Sequence, residues 1–246
     1  METRNFKLDT EWNVLHYPYK PNGFGILVIG DERSFVNDNS CFWTQNEGKH
    51  ILLKQLKEAG YTIFYSNLYG RNWGSPKAVN HAKHLNHHIQ RNEILNDKIH
   101  IIAEGMGALA ALKLLQQADF PIRSMLLINP ILSLRFHLEQ EKEHKFFYKK
   151  LLAELADAYE IRKSNLEECL PEEKEICNYG TVVPLNIVYV LSSGNRALKQ
   201  SVLLDELSAK WKHEDIAISI CYMVPDKLSE LPVQAVDFFQ QHERFL

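Results

Sequence analysis

The amino-acid sequence predicts an α/β protein built on a mostly parallel central sheet with helices on both faces. Short apolar segments rich in branched residues alternate along the chain with longer segments of helical periodicity. Strands that are apolar along their whole length are buried on both faces, as in parallel sheets whose crossover connections are helices. The 246 residues suit one domain spanning residues 1–246, with room for an inserted subdomain.

Six strands and five helices follow one another along the chain. The predicted strands are FGILVIG (24–30), YTIFYSN (61–67), KIHIIAE (98–104), RSMLLINP (123–130), PLNIVYVLSS (184–193) and DIAISICYMV (215–224). The predicted helices are GKHILLKQLKEAG (48–60), residues 76–95, GALAALKLLQQA (107–118), ALKQSVLLDELSAKW (197–211) and LPVQAVDFFQQHERF (231–245). Gly60 is a typical helix stop signal, and Pro76 suits a first-turn position.

One stretch, from about residue 132 to residue 180, interrupts this alternation. It is rich in charged residues, has helical periodicity and contains no strand pattern. Phe147, Leu151, Leu155 and Ala158 recur at roughly heptad spacing. We therefore expect a helical lid inserted over one end of the sheet.

Composition excludes several classes of function. The net charge of −3 gives no overall positive field that would attract nucleic acid or an anionic membrane. No apolar run approaches the roughly 18 residues of a membrane span, and the polar N-terminal segment does not resemble a signal peptide. The four cysteines show no C-x-x-C spacing and are interpreted as reduced thiols. We expect a cytoplasmic protein with no cofactor and no nucleic-acid or membrane partner.

The segment KIHIIAEGMGALAALKLL (98–115) predicts a strand, a tight turn and a helix. Its small residues Ala103, Gly107 and Ala108 would let strand and helix approach closely. This is the outline of G-x-S-x-G, the elbow that presents a nucleophile on a strained turn. Here Gly105 stands at the central position, so the turn carries no nucleophilic atom and pays no penalty for a positive φ.

Together with two other loops, this segment resembles the α/β-hydrolase superfamily, over nearly the whole chain from Phe24 onward. NLYGRNWGS (67–75) is similar to the family's D-x-x-G-x-G-x-S-like loop, with Asn67 in place of the acid. VIGDERS (28–34) is similar to its H-G loop, with Gly30 retained. The resemblance implies an α/β-hydrolase fold with a lid.

The same resemblance implies an oxyanion hole formed by the backbone amides of Asp31 and Met106. An Asp31 carboxylate near that hole would oppose a developing oxyanion.

All three positions of the implied catalytic triad are vacant. Gly105 replaces the nucleophile. The acid would follow the strand at 184–193, where the chain has Asn195, or Arg196 if the alignment shifts by one residue. The base would follow the strand at 215–224, where PDKLSELP contains no histidine and Lys227 stands instead. Loss of every triad member removes most of the rate of such an enzyme.

Several side chains are predicted to lie around the vestigial pocket. Tyr69, Arg71 and Trp73 either line its mouth, where their flat groups would stack on a ligand, or brace the lid. Glu104 neighbours Gly105, and a structural hydrogen-bonding role is favoured over that of a catalytic base. The pocket-lining candidates are Gly30, Tyr69, Arg71, Trp73, Glu104 and Gly105.

The segment HAKHLNHHIQ places His81, His84 and His88 on one stripe of a helix. Imidazoles at this spacing can bind zinc or nickel. No carboxylate or cysteine in the segment completes a set of ligands, so we interpret the stripe as a solvated helix face and expect no metal.

Three functions remain open at this point. The favoured hypothesis is a protein inactive as a triad hydrolase that binds a small ligand or a protein partner through the pocket. The alternative is an esterase- or thioesterase-like hydrolase of a small acyl substrate with displaced catalytic residues. A third is a structural subunit of an active hydrolase, for which a pocket plugged by lid side chains would be typical.

Overall fold

The computed structural model describes residues 3–116, 121–170, 176, 183–192, 197–213 and 217–243. Its strands are β1 (Thr3–Leu8), β2 (Glu11–His16), β3 (Gly25–Ile29), β4 (Thr62–Ser66), β5 (Ile99–Glu104), β6 (Ile122–Ile128), β7 (Leu185–Val190) and β8 (Ile218–Met223). They form one eight-stranded sheet in the order β1-β2-β4-β3-β5-β6-β7-β8. β1 and β2 pair antiparallel, as do β2 and β4, and every other neighbouring pair is parallel. The mostly parallel sheet predicted from the sequence is confirmed.

The α-helices connect the strands or follow them. They are α1 (Phe42–Gln45), α2 (Glu47–Glu58), α3 (Pro76–Asn92), α4 (Gly107–Leu115), α5 (Leu134–Glu141), α6 (Lys145–Ala158), α7 (Leu166–Cys169), α8 (Val202–His213) and α9 (Leu231–Gln241). Short 3-10 helices cover Lys163–Asn165, Ala197–Ser201 and Pro225–Glu230. Within the described ranges, none of the helices combines the length and the hydropathy needed to cross a membrane.

Helices cover both faces of the sheet, as the apolar strands require. Side chains alternate along a strand, so Leu27 and Ile29 of β3 pack into the core under α3, α4 and α8. Ile26 and Val28 pack into the opposite core, under α1, α2 and α9. Because every residue of β3 is buried, the strand is apolar throughout.

The sequence reading missed the N-terminal hairpin of β1 and β2. These strands extend the sheet beyond β4, and the turn between them contains Asp9 with a φ of +53°. β1 lies at the edge and is only partly buried along its length, so its sequence TRNFKL shows no apolar run. An edge strand of this kind is specified by its pairing with β2, which a local hydrophobicity pattern does not report.

Between β6 and β7 the described residues contain helices and no strand, and α5, α6 and α7 form a helical insertion that packs around a small hydrophobic cluster. Leu151 and Leu155, two of the residues at heptad spacing, are buried in that core. The same cluster contains Trp73, Met106 and Leu109 from the body of the protein. The insertion is therefore packed directly on the start of α4.

Candidate ligand site at the carboxyl end of the sheet

The turn between β5 and α4 is centred on Gly105, whose φ is +49°. This left-handed conformation costs other residues about 1–2 kcal/mol, and glycine avoids the cost. A Cβ on Gly107 would lie only 2.7 Å from the carbonyl oxygen of Gly30, so the end of β3 and the start of α4 approach too closely for a side chain. The backbone thus makes the sharp crook that an elbow requires.

The space above Gly105 is occupied by the carboxylate of Asp31. A Cβ on Gly105 would lie within 3.0 Å of three atoms of that side chain, including Oδ2 at 2.6 Å. The backbone N–H of Met106 donates a hydrogen bond to Asp31 Oδ1 at 3.0 Å. A carboxylate from the loop after β3 therefore occupies the space that a side chain at position 105 would need, and it accepts the N–H at the start of α4.

Asp31 is held in an environment that disfavours its charge. Burial raises the pKa of Asp31, while hydrogen bonds from the backbone N–H groups of Met106 and Glu32 oppose the rise. The nearby carboxylates of Glu104 and Glu32 raise this pKa further.

A cavity of about 550 Å³ opens above this turn. Asp31, Trp73, Gly105, Asn129 and Ser192 line it, and each follows the carboxyl end of a different strand, from β3 to β7. Ligands of open α/β sheets bind at this edge, and the volume is that of a pocket for a small organic molecule. The sheet topology therefore brings together five loops that are far apart in sequence.

The helical insertion supplies the opposite wall of the cavity. His137 and Glu141 come from α5, and Phe147, Lys150 and Glu154 come from α6. These described side chains of the insertion line the cavity without filling it.

His137 is a residue that the sequence reading missed. Its imidazole stacks on the indole of Trp73, with ring centroids 5.3 Å apart and an angle of 24° between the planes. The start of α5 is fixed by Ser133, whose Oγ accepts from the Phe136 N–H, and by the buried Gln200, whose Oε1 accepts from the Ser133 N–H at 3.0 Å. In the sequence, the one feature that could have pointed to His137 is its place as a polar residue on the buried stripe of the amphipathic helix α5.

A network of charged side chains fastens the insertion to the body. Glu154 accepts from the indole N–H of Trp73 at 3.0 Å and pairs with Arg71 at 3.1 Å. Arg71 also reaches Glu32 at 3.5 Å, and Lys150 lies 3.5 Å from Glu154 and 3.8 Å from Glu32. The loops after β3 and β4 are thereby tied to α6 at the rim of the cavity.

Two of the predicted pocket residues take a different position. Tyr69 and Arg71 do not line the main cavity but a second one of about 410 Å³, between the loop after β4 and α6. The ring of Tyr69 lies under the Lys77 ammonium, 4.3 Å from the ring centroid. Of the two roles predicted for this cluster, Arg71 takes that of bracing the insertion, whereas Trp73 both braces it and lines the main cavity.

Glu104 and Gly30 do not line the main cavity either. Glu104 is buried and pairs with Lys49 of α2, on the other side of the turn. Gly30 lies against Ser34, whose Oγ occupies the space that a Cβ at this position would need. Both residues shape the backbone beneath the site and have no surface in it.

The remaining predicted triad positions contribute no described group to the cavity. Lys227 is exposed in the 3-10 helix Pro225–Glu230 and lies 3.7 Å from Glu230. Asn195 and the neighbouring Arg196 lie outside the described residues.

Two histidines of the α3 stripe, His81 and His84, face one carboxylate, since Nδ1 of each lies 3.7 Å from Asp9 Oδ2. His81 is buried and its Nε2 lies 3.2 Å from Asn13 Oδ1, while His88 stacks on Phe6. His84 is largely exposed and faces Asp9 at 3.7 Å. In the part of the chain that the structure describes, no group of three or more histidine, cysteine or acidic residues is arranged to hold a metal ion.

The sheet order, the two helical layers and the insertion define an α/β-hydrolase fold, which confirms the predicted fold class. No known family profile matches the sequence, and no curated protein matches it. Among solved structures, Est1E from Butyrivibrio proteoclasticus is similar, with a TM-score of 0.62 and 11% identity over 98% of this chain and 99% of that chain. An S-formylglutathione hydrolase from Agrobacterium tumefaciens gives a TM-score of 0.60 and 10% identity, with coverage of 98% and 94%.

The acylaminoacyl peptidase of Pyrococcus horikoshii gives a TM-score of 0.65 at 12% identity over 98% of this chain. The chain spans 41% of the length of that peptidase. Similarities at these identities establish the fold, and function has to be argued from the site.

Proposed function

We propose that this protein is inactive as a triad hydrolase and uses the cavity above Gly105 to bind a small organic ligand. The observation that carries the proposal is the position of Asp31, whose carboxylate fills the nucleophile space and accepts the Met106 N–H. In triad hydrolases, backbone N–H groups that stabilise the developing oxyanion usually make the largest single contribution to the rate enhancement. In this protein the Asp31 side chain accepts a hydrogen bond from the N–H that would have that role.

Two further features support binding over a purely structural role. The cavity has the volume of a small-molecule site, and the described side chains of the insertion do not plug it. Its walls are held in place by one partly buried and one buried hydrogen bond, because Glu154 fixes Trp73 and Gln200 fixes the start of α5. A preorganised cavity binds with a smaller entropic cost than one that must form around its ligand.

The proposal is tested first by its chemistry. Purified protein is expected to release no product from short p-nitrophenyl esters above the level of the uncatalysed reaction. It is also expected to acquire no mass from a fluorophosphonate probe. Steady turnover that an Asp31→Ala variant lacks would refute the proposal of an inactive hydrolase.

Binding is tested with a variant that fills the cavity. Ser192 is exposed at the cavity edge, so Ser192→Trp would place an indole in the opening. Small molecules that give a binding signal with the wild type in ligand-observed NMR should give none with this variant. They should still give the signal with Ser208→Trp, a matched change on the exposed face of α8. Equal binding by both variants would place the ligand site elsewhere.

A second candidate function is a hydrolase of a small acyl substrate with displaced catalytic residues. One observation favours it, namely that the Asp31 carboxylate and the His137 imidazole line the same cavity and can both exchange protons. Under this hypothesis, His137→Ala and Asp31→Asn would each lower the rate of ester hydrolysis at least about 100-fold. Under the favoured proposal there is no such rate to lower.

A further inference from the structure

The charges around the cavity divide into a neutralised rim and an uncompensated floor. Glu32 and Glu154 at the rim each lie within 4.0 Å of both Arg71 and Lys150. Asp31 at the floor, among the residues that the structure describes, forms no ion pair with a lysine, arginine or histidine. Asp31 is therefore a carboxylate of the cavity lining whose charge no described side chain balances.

The hydrogen bonds of Asp31 leave it free to bind more. A carboxylate has about four lone-pair positions, and the N–H groups of Met106 and Glu32 use two of them. Asp31 also lines the cavity, so the remaining positions are accessible to a ligand. A donor that carries a positive charge would compensate the burial of this carboxylate and its repulsion from Glu104.

Aromatic rings line the space beside this carboxylate. Trp73 and His137 form a stacked pair in the wall, and Phe147 of α6 lines the same cavity. Organic cations are attracted to aromatic rings, and flat apolar groups pack against them. Besides Lys150, the cavity lining contains one other lysine or arginine side chain among the described residues, that of Arg33. Arg33 is exposed, so water and salt screen its repulsion of a bound cation.

We propose that the cavity selects organic cations, with a protonated amine or amidine bound to Asp31 and an apolar, flat body packed against Trp73, His137 and Phe147. This inference rests on the proposed function, since it names the ligand class of the same cavity. It assigns Asp31 the role of a recognition group in place of the missing nucleophile.

The test uses three probes of similar shape and different charge: 2-phenylethylammonium, 2-phenylethanol and phenylacetate. Dissociation constants for the full chain are measured by protein-observed NMR at low salt. We expect the ammonium to bind at least about tenfold more tightly than the alcohol, and phenylacetate more weakly than either.

Two variants assign the preference to named groups. Asp31→Asn keeps an oxygen that accepts the Met106 N–H, and it is expected to abolish the preference for ammonium over alcohol. The control Asp205→Asn, on the exposed side of α8, removes the same charge far from the cavity and should leave the preference intact. Phe147→Ala is expected to weaken the binding of the ammonium and of the alcohol by similar factors.

The proposal is overturned if the ammonium binds no better than the other two probes, including the case in which none binds. It is also overturned if its preference survives in Asp31→Asn. Binding of the alcohol or of phenylacetate that Ser192→Trp abolishes, without a preference for ammonium, would refute the cation selectivity and leave the binding function standing. Ester turnover would instead refute the proposed function itself.

Discussion

Adding a single methyl group at the elbow tests whether Asp31 occupies the nucleophile space. In Gly105→Ala the new Cβ would overlap the Asp31 carboxylate, which must move away and lose its hydrogen bond from Met106. The positive φ costs about 1–2 kcal/mol. Loss of a hydrogen bond to a charged group adds about 1.5–3 kcal/mol. The free energy of unfolding should therefore fall by about 2.5–5 kcal/mol.

This cost can be separated into its parts by a matched control and a double-mutant cycle. Gly70 also has a positive φ, +69°, but a Cβ there would have no atom within 4 Å. Gly70→Ala should thus cost only the conformational term, about 1–2 kcal/mol. In the background Asp31→Ala, which removes the obstructing carboxylate, Gly105→Ala should cost about as much as Gly70→Ala does.

Denaturant unfolding followed by circular dichroism gives the four free energies of the cycle, and thermal unfolding gives a second readout. For a domain of this size, the expected loss corresponds to roughly 5–20 °C in Tm at about 2–4 °C per kcal/mol. If Gly105→Ala and Gly70→Ala cost the same in the otherwise unchanged chain, the carboxylate does not fill the space above the elbow.

Three further predictions concern other contacts. Asp31→Asn should raise stability at pH 7, because burial raises the pKa of Asp31 and the folded state therefore binds more protons than the unfolded state. Thermal unfolding measured across pH should show this gain vanishing at pH values below the ordinary carboxylate pKa range. Glu154→Ala should lower stability by about 1–3 kcal/mol and speed amide exchange in α6 rather than in the central strands, because the Trp73 indole N–H loses its acceptor. Glu243→Gln should lower stability at pH 7, with a difference that shrinks as acid titrates the carboxylate. Burial raises the pKa of Glu243, but the imidazole of His100, 3.5 Å away, and the hydrogen bond from the Tyr61 hydroxyl outweigh this and hold the pKa below its usual range. The stabilising contribution of Glu243 is therefore present above that range and lost as pH falls through the lowered pKa.

Each of these predictions has a control and an outcome that would contradict it. Asp205→Asn removes an exposed carboxylate and should leave the pH profile of stability as it is in the wild type. If Asp31→Asn also leaves that profile unchanged, Asp31 is solvated and the prediction is wrong. Glu139→Ala breaks only an exposed pair with Lys142, so exchange in α6 that responds equally to both variants would contradict the anchoring role of Glu154. A loss in Glu243→Gln that persists unchanged at pH 2 would show that the effect is not one of charge.

The architecture was predictable because burial leaves a local record in the sequence. All six apolar segments predicted to be strands are strands of the sheet. Five of them, β3 to β7, are mostly apolar because they are buried along nearly their whole length, whereas the sixth, β8, lies at the edge of the sheet and is largely exposed. The hairpin of β1 and β2 left no such record, because β1 is a partly exposed edge strand with polar side chains, and β2, which lies between β1 and β4, contains the buried polar residues Asn13 and His16. The absence of a nucleophilic side chain at Gly105 was also predictable from the sequence, because it depends on one residue in one recognisable turn.

The content of the site was decided only by the tertiary structure. Asp31 and Met106 are 75 residues apart, and no spacing rule predicts that the carboxylate of one would accept the N–H of the other. His137 enters the cavity from an insertion whose helical pattern reports its buried stripe but not which surface that stripe covers. Periodicity along a chain determines which side of an element is buried. The identity of its neighbours depends on how the sheet order and the insertion bring distant loops together, and here that assembly placed the Asp31 carboxylate in the space above a glycine.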